Sequence, residues 1–204
     1  MYRPLISTIE FVQNELKLDR ERKEILAPLI NYIQDKVDLK QDVNINFICT
    51  HNSRRSHLTQ VWAQVAALYF DVNDVGCYSG GTEVTAVYPM VVDTLVDQGF
   101  SAFPISEGSN PVYAIKYGAD LLPIIGFSKR YDSSFNPVDR FAAVMTCSQA
   151  DGGCPFIIGA EKRIPITYID PKESDGTPGQ GKVYFDKSLE IASEMLYVFS
   201  QIKK

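Results

Sequence analysis

The chain reads Val43-Asn44-Ile45-Asn46-Phe47-Ile48-Cys49-Thr50-His51-Asn52-Ser53-Arg54-Arg55-Ser56, an apolar segment followed by a cysteine and an arginine that are separated by five residues. The apolar residues from Val43 to Ile48 predict a buried strand. Apolar positions from Leu58 onward recur at helical spacing and predict a helix that begins near Ser56. A strand, a short loop and a helix in this order place backbone N–H groups where anions bind. We therefore expect an anion site here.

Strand and helix patterns alternate along the rest of the chain. Four apolar runs predict strands, and they cover Val43 to Ile48, Val75 to Ser79, Phe141 to Thr146 and Ile166 to Ile169. Helical periodicity separates several of them and ends the chain. Alternating strands and helices favour crossover connections between parallel strands. The predicted fold class is α/β, with a small four-stranded parallel sheet and helices on both faces.

The domain organisation is predicted to be a single α/β domain over residues 1–204. Helical spacing over residues 1–40 indicates a helical extension that precedes the sheet. Residues 111–132 alternate apolar and polar positions around a Gly118-Ala119-Asp120 turn, which is typical of an inserted hairpin. Gly, Pro, Ser and charged residues fill 172–182, and we expect a mobile surface loop there.

Composition excludes several function classes. A chain of 204 residues with 45% hydrophobic residues is long enough to bury one core. The net charge of −5 argues against a nucleic-acid partner or an anionic membrane surface. No apolar run approaches the roughly 18 residues that span a bilayer, and the N-terminus lacks a secretory pattern. We expect a cytoplasmic protein, without a membrane or a cofactor.

Four motifs follow the predicted strands and meet at one edge of the sheet. They are Cys49, Gly81, Cys147 and Asp170. Ligands of open α/β sheets bind at the carboxyl ends of the strands. We therefore expect these residues to line one site.

The loop after Cys49 has the chemistry of a socket for a tetrahedral dianion. Its N–H groups and the helix end would hold the oxygens, and Arg55 would grip two of them with its planar fork. The same donors favour the thiolate of Cys49, and Ser56 adds a hydroxyl hydrogen bond. The predicted substrate-binding residues are Thr50, His51, Asn52, Ser53, Arg54 and Ser56.

The other thiols suggest redox chemistry. Cys147 and Cys154 are separated by six residues and enclose Asp151-Gly152-Gly153, whose glycines give backbone freedom. Common structural zinc sites do not use this spacing, and the chain has only two histidines, so we expect no metal. Cys77 is expected to pack in the core, and His57 to be a surface or capping residue.

Three of these motifs together resemble a known family. Cys49 to Ser56, Gly81-Thr82-Glu83 and Asp170-Pro171 are similar to the low-molecular-weight protein tyrosine phosphatase fold. Cys147 and Cys154-Pro155 resemble its thioredoxin-coupled arsenate reductase branch. The likeness covers about residues 43 to 202. The sequence departs from the family in having His51 where glycine is usual.

The resemblance implies roles for five residues. Cys49 would be the nucleophile, Arg55 the oxyanion ligand and Asp170 the general acid. Cys147 would attack Cys49 in the arsenic adduct and release arsenite, and Cys154 would then take over the disulfide. Thioredoxin would be the reductant. The implied function is reduction of arsenate to arsenite through a three-thiol disulfide relay.

Two alternatives stay open. A phosphatase acting on phosphate monoesters would use the same Cys49, Arg55 and Asp170, because a thiophosphate intermediate needs the same socket. Hydrolysis gives Cys147 and Cys154 no role beyond protecting Cys49 from overoxidation. The other alternative is a non-enzymatic redox or arsenic-responsive binding protein, whose N-terminal helices contact a partner.

Overall fold

The computed structural model describes residues 1–153 and 156–204. Its strands are β1 Val43–Cys49, β2 Val75–Gly81, β3 Ser101–Pro104, β4 Tyr113–Lys116, β5 Ile124–Gly126, β6 Phe141–Met145 and β7 Ala160–Pro165. In this part of the chain four of them form a parallel sheet in the order β2-β1-β6-β7. The predicted four-stranded parallel sheet is confirmed.

Helices connect and cover these strands. They are α1 Arg3–Glu15, α2 Arg20–Asp38, α3 Arg55–Tyr69, α4 Pro89–Asp97, α5 Ser148–Gly153 and α6 Gln180–Ser200. A short 3-10 turn, Pro171–Ser174, precedes α6. Over the described ranges no helix is both long enough and apolar enough to cross a membrane.

Alternation along the strands divides the interior into two cores. Ile45 and Phe47 of β1 face the larger core, which also contains apolar residues of α3 and α6. Ile48 of β1 and Met145 of β6 point to the opposite face, where a smaller core includes Ala150 of α5. Successive side chains of a strand point to opposite faces, so both sides of the sheet are covered.

The N-terminal helices pack onto the C-terminal helix. Leu5 and Ile9 of α1 and Leu26 of α2 are fully buried in the larger core. Arg22 of α2 also donates to both carboxylate oxygens of Glu194 in α6, at 2.6 and 2.9 Å. The helical extension therefore completes the larger core.

The predicted hairpin is part of a slightly larger sheet. Strands β4 and β5 pair antiparallel, with Tyr113 opposite Gly126. The sequence pattern did not predict β3, which pairs with the other side of β4. Three of the four β3 residues are exposed and the fourth is half-buried, so the strand carries no buried apolar face.

The last strand of the parallel sheet lies earlier than predicted. The apolar run from Ile166 to Ile169 was expected to be the strand, but β7 ends at Pro165. Glu161, Lys162 and Arg163 occupy β7 because it is an edge strand, where charged residues are common. Ile166 and Tyr168 still donate backbone hydrogen bonds to the end of β6 and its following residue, at 3.0 and 3.2 Å.

The segment 172–182 is more ordered than the expected mobile loop. The 3-10 turn occupies its beginning, and α6 already starts at Gln180. Between them, Asp175 and Thr177 donate backbone hydrogen bonds to Lys172 and Ser174, each at 3.0 Å. Local hydrogen bonds of this kind give a Gly-rich segment a defined turn structure.

Candidate active site

Cys49 and Cys147 lie at the carboxyl ends of neighbouring strands, at one edge of the sheet. From β1 the chain crosses to β2 on one side, whereas β6 pairs with the other side of β1. Such a reversal of strand order opens a crevice at the carboxyl ends of the two strands. Cys49 is the last residue of β1, and Cys147 comes two residues after β6.

The loop between β1 and α3 turns its carbonyl groups toward the surrounding protein. Donors from other segments bond four of them: Thr82 N–H to Cys49 at 3.2 Å, Glu83 N–H to Thr50 at 2.8 Å, Ser128 Oγ to His51 at 2.8 Å and Tyr88 N–H to Ser53 at 3.0 Å. These bonds fix the peptide planes of the loop. The N–H groups of the loop consequently point to its opposite side, away from these donors.

Most N–H groups of the loop have no acceptor within the described part of the chain. These belong to Thr50, His51, Ser53, Arg54, Arg55 and Ser56. Unpaired N–H groups at successive residues and at a helix start form a concavity that binds anions. The geometry of the loop therefore suits a tetrahedral oxyanion.

Cys49 lies at the bottom of this loop with its sulfur hydrogen-bonded. The side chain is buried, and Asn52 N–H donates to Sγ at 3.2 Å. Ser56 Oγ lies 3.1 Å from the same sulfur. Ser56 Oγ accepts from Nδ2 of Asn52, so its own proton is free to point at the sulfur. Two donors at the sulfur favour the nucleophilic form of cysteine.

Asn52 adopts the left-handed conformation that the loop needs. Its φ is +45°, and three bonds hold it there. Its amide donates to Ser56 Oγ at 2.9 Å, its Oδ1 accepts from the N–H of Lys129 at 2.9 Å, and its carbonyl lies 2.9 Å from Nε2 of His57. Asparagine tolerates this conformation better than most residues. The sequence pattern gave no sign that Lys129 takes part.

His51, where the resembled family has glycine, causes no backbone strain. It is absent from the described residues with positive φ, whereas its neighbour Asn52 is among them. The imidazole is partly exposed, and Nε2 lies 3.3 Å from Oε2 of Glu83. The side chain therefore lies at the rim of the loop.

Two glycines at the end of β2 allow close contact with the loop on one side and with the segment of Arg130 and Tyr131 on the other. A Cβ on Gly80 would lie 2.3 Å from Cα of Tyr131, and one on Gly81 would lie 2.7 Å from the carbonyl oxygen of Thr50. Gly81 also forms a bridge with Arg130. Glycine at a strand end indicates close backbone approach. The two glycines were the sequence signal that another segment packs closely here.

Arg55 and Asp170 form an ion pair beside the loop. Nη2 of Arg55 donates to Oδ2 of Asp170, and Nη1 donates to the carbonyl of Tyr168 at 3.0 Å. Asp170 also accepts the N–H of Lys172 at 3.2 Å and so caps the 3-10 turn. A cleft of about 370 Å³ lies beside this pair, and Ser148 and Gln149 contribute to its wall.

Cys147 contacts the loop next to Cys49. Its Sγ lies 3.5 Å from Oγ1 of Thr50, the residue that follows Cys49. The thiol is buried and accepts the N–H of Ala150 at 3.3 Å. Residues 148–153 form the helix α5, so the glycines expected to give a flexible segment lie in a helical turn.

Of the described cysteines, Cys77 stands apart from this contact. Cys77 pairs with Ile45, four residues before Cys49, which corresponds to roughly 13 Å along the strand. Its burial raises the pKa of its thiol, as expected for a core residue. Cys154 lies outside the described residues. Among the described residues, no cluster of three His, Cys, Asp or Glu side chains is arranged to hold a metal ion.

Arg54 is engaged by protein groups. Its Nε donates to the hydroxyl of Tyr184 at 2.6 Å, and its Nη2 pairs with Oδ2 of Asp175 at 2.5 Å. The guanidinium also lies over the ring of Tyr88, 4.3 Å from the centroid. Its N–H group lines the loop, but its side chain is bound elsewhere.

His57 is buried, and the expectation of a surface or capping residue is wrong. Nε2 faces the carbonyl of Asn52, so it donates, and Nδ1 lies 3.3 Å from Oγ of Ser79, from which it accepts. Burial, together with the nearby ammonium of Lys129, lowers the pKa of His57 to about 3. The ring is therefore neutral and supports the backbone of the loop.

The buried imidazole predicts a pH dependence of stability. An unfolded chain binds a proton at His57 below about pH 6.5, whereas the folded chain resists it down to about pH 3. The stabilisation is therefore complete above pH 6.5 and is lost as the pH falls toward 3. We expect a loss of up to about 1.4 kcal/mol per pH unit between pH 6 and 4.5, measured by urea unfolding.

His57→Gln should remove this slope, because an amide does not titrate in that range. His51→Gln is the matched control, since His51 is partly exposed and lies six residues away in the same loop region. The control should keep the slope of the original protein. An unchanged slope in His57→Gln would show that other groups cause it.

Comparison with known proteins identifies the fold. No family model matches the chain, and no curated protein sequence matches it. A variant of YwlE from Bacillus subtilis aligns over 80% of this chain and 100% of its own, with a TM-score of 0.52 and 15% identity. A low-molecular-weight phosphotyrosine phosphatase from Vibrio cholerae aligns over 78% and 94%, with a TM-score of 0.51 and 13% identity.

A third solved structure is more distant. A thioredoxin-dependent arsenate reductase from Corynebacterium glutamicum aligns over 93% of this chain and 81% of its own, at 15% identity. Its TM-score of 0.39 is too low to support an inference. The first two structures show that the chain has the low-molecular-weight phosphatase-like α/β fold.

Proposed function

We propose that this chain reduces arsenate to arsenite, with Cys49 as nucleophile and Cys147 as the thiol that resolves the arsenic adduct. The observation that carries the proposal is the contact between Cys147 and Thr50, which places a second buried thiol against the loop of the first. A hydrolase needs only the first thiol. A reductase needs a second one within reach, because two electrons must leave as a disulfide.

In the first step, the loop binds arsenate through its free N–H groups and Arg55. The thiolate of Cys49 attacks arsenic, a sulfur–arsenic bond forms, and one arsenic–oxygen bond breaks. Once Arg55 turns from Asp170 to the arsenate, the freed carboxyl takes a proton from solvent and donates it to a hydroxyl group on arsenic, which departs as water. Arsenic is still pentavalent in the resulting adduct.

In the second step, the thiolate of Cys147 attacks the sulfur of Cys49. A disulfide forms, the sulfur–arsenic bond breaks, and its electron pair stays on arsenic, which leaves as trivalent arsenite. The two thiols are oxidised and arsenic is reduced by the same two electrons. We propose that Cys154 then exchanges into the disulfide and that a thioredoxin-like dithiol restores the three thiols.

A single-turnover assay tests this proposal without depending on the electron donor. Reduced protein is mixed with arsenate, and arsenite and free thiols are counted. We expect one arsenite released and two thiols lost per chain. A coupled assay with thioredoxin, its reductase and NADPH then tests the donor. Thiol loss without arsenite, or no thiol loss at all, would contradict the reductase.

A phosphatase is the second candidate, because Cys49, Arg55 and Asp170 also suit the hydrolysis of a phosphate ester. All three residues serve that reaction as well as they serve arsenate. YwlE, whose fold is similar, is an arginine phosphatase. Hydrolysis of aryl phosphate with no reaction toward arsenate would select this function.

Replacing Arg55 by lysine should impair either reaction strongly. The guanidinium uses two nitrogens, one on Tyr168 and one on Asp170, and could present two parallel bonds to an oxyanion. An ammonium cannot reproduce that fork. We expect kcat/KM to fall about a hundredfold, measured with arsenate and with aryl phosphate.

Lys172→Gln is a control, because it changes a cation close to Asp170 without changing the guanidinium of Arg55. Lys172 bonds Asp170 through its backbone N–H, which the substitution keeps, and only its ammonium group is removed. The kcat/KM of this variant should stay within about threefold of the original value. Near-normal activity of Arg55→Lys would mean that the arginine does not bind the oxyanion.

A further inference from the structure

Two consecutive arginines hold the two ends of the segment that carries Asp170. Arg55 pairs with Asp170 at its start, and Arg54 pairs with Asp175 five residues later. Between the two carboxylates runs the 3-10 turn. The loop that would bind the oxyanion is therefore tied to the acid-bearing segment at two points.

The second attachment has several components. Arg54 bonds Tyr184 and Asp175, and the hydroxyl of Tyr184 donates to the other oxygen of Asp175 at 2.6 Å. The rings of Tyr88 and Tyr184 are stacked with centroids 5.6 Å apart. The side chain of Arg54 is only 12% exposed, so this ion pair is partly shielded from water. Charge-assisted bonds in such a setting are stronger than exposed ones.

Hydrogen bonds within the segment between the two carboxylates couple the position of Asp175 to that of Asp170. Ser174 Oγ donates to the carbonyl of Pro171 at 2.7 Å, and Asp175 N–H donates to Lys172 at 3.0 Å. Gly176 N–H is held by Oε1 of Gln180 at 2.5 Å. Fixing Asp175 therefore restricts Asp170.

The two arginines face different demands when an oxyanion binds. Arg55 would have to turn its fork from Asp170 to the oxyanion, which removes one of the two attachments. Nε and Nη2 of Arg54 are already bonded to Tyr184 and Asp175, so turning the guanidinium toward the ligand would break both bonds. The ion pair of Arg54 with Asp175 therefore persists when Arg55 leaves Asp170 to bind the oxyanion.

We infer that Arg54 is a positioning residue, which keeps the segment of Asp170 docked when Arg55 binds the oxyanion, and that its side chain does not bind substrate. This reassigns a residue that the sequence placed among the substrate ligands. The inference rests on the proposed function only in treating Asp170 as the acid.

Hydrogen–deuterium exchange and anion affinity test this role independently of turnover. The variants are Arg54→Gln, Asp175→Asn and Tyr184→Phe, and inorganic phosphate serves as the oxyanion probe. We expect residues 171–179 to exchange faster in all three variants with phosphate bound, and about tenfold faster in the first two, because these lose a partly buried charged bond. The affinity for phosphate should change by less than about threefold.

Activity adds a second readout. The rate of the first step in single turnover should fall about tenfold in Arg54→Gln and Asp175→Asn, with KM nearly unchanged. The double variant should lose no more than either single variant, since both break the same bond. Asp186→Asn is the matched control, because Asp186 forms an exposed ion pair with Lys182 on α6.

Two outcomes would overturn the inference. A tenfold or larger loss of phosphate affinity in Arg54→Gln, with Asp175→Asn unaffected, would make Arg54 a substrate ligand. Unchanged exchange in residues 171–179 in Asp175→Asn and Tyr184→Phe would show that the attachment does not hold the segment, even if Arg54→Gln fails to fold. Failure of arsenate reduction in the original protein leaves both measurements in place, so the two proposals are tested separately.

Discussion

Cys49→Ser is expected to abolish both arsenate reduction and aryl phosphate hydrolysis. The loop directs an N–H group and the hydroxyl of Ser56 at the sulfur, an arrangement that stabilises a thiolate. A serine hydroxyl in the same place stays protonated and has no base to activate it. We expect both rates to fall about a thousandfold or more, measured by arsenite release in single turnover and by aryl alcohol release.

The folded state of Cys49→Ser has to be shown separately. Phosphate should still stabilise the variant against heat, because the N–H groups of the loop and Arg55 are unchanged. Cys77→Ala is the matched control, since Cys77 is equally buried but pairs with Ile45 well inside the sheet. It should keep nearly full activity. Substantial turnover by Cys49→Ser would remove this loop as the reaction centre.

The strand, loop and helix around Cys49 could be predicted because their signals are local. The apolar run of β1 and the helical spacing of α3 lie on either side of the loop, and the cysteine and arginine mark its ends. Hydrophobic periodicity is the strongest signal that a single sequence carries. The four-stranded parallel sheet followed from the same kind of pattern.

The elements that were missed or displaced lack this signal. Strand β7 carries Glu161, Lys162 and Arg163 because it lies at a sheet edge, so the apolar pattern predicts the strand in the residues after it. Strand β3 is mostly exposed. Both strands form because they pair with a neighbouring strand, and the sequence of a segment does not show which strand it will pair with.

The surroundings of the loop depend on contacts between distant residues. Arg54 meets Asp175 and Tyr184, which lie 121 and 130 positions away. His57 is buried against Ser79 of β2, although its place at a helix start suggested exposure. A charged or polar residue at a loop gives no indication in sequence of whether a ligand or the protein itself will satisfy it.

Cys147→Ser should separate the two reactions that the loop could perform. The hydroxyl is smaller than the thiol and keeps the bond from the N–H of Ala150, so the fold should persist. Aryl phosphate hydrolysis needs only Cys49, Arg55 and Asp170 and should remain within about threefold of the original rate. Arsenite release should fall at least a hundredfold, because the thiol proposed to attack the sulfur of Cys49 is gone.

Comparison with Cys154→Ser locates the step at which each thiol acts. Cys154→Ser should release one arsenite per chain and then stop, because the disulfide between Cys49 and Cys147 forms but is not passed on. Cys147→Ser should release none, and mass spectrometry should find no Cys49–Cys154 disulfide. Equal loss of both activities in Cys147→Ser would make this thiol structural. Undiminished arsenite release would mean that an external thiol resolves the adduct, and the contact of Cys147 with Thr50 would then be packing alone.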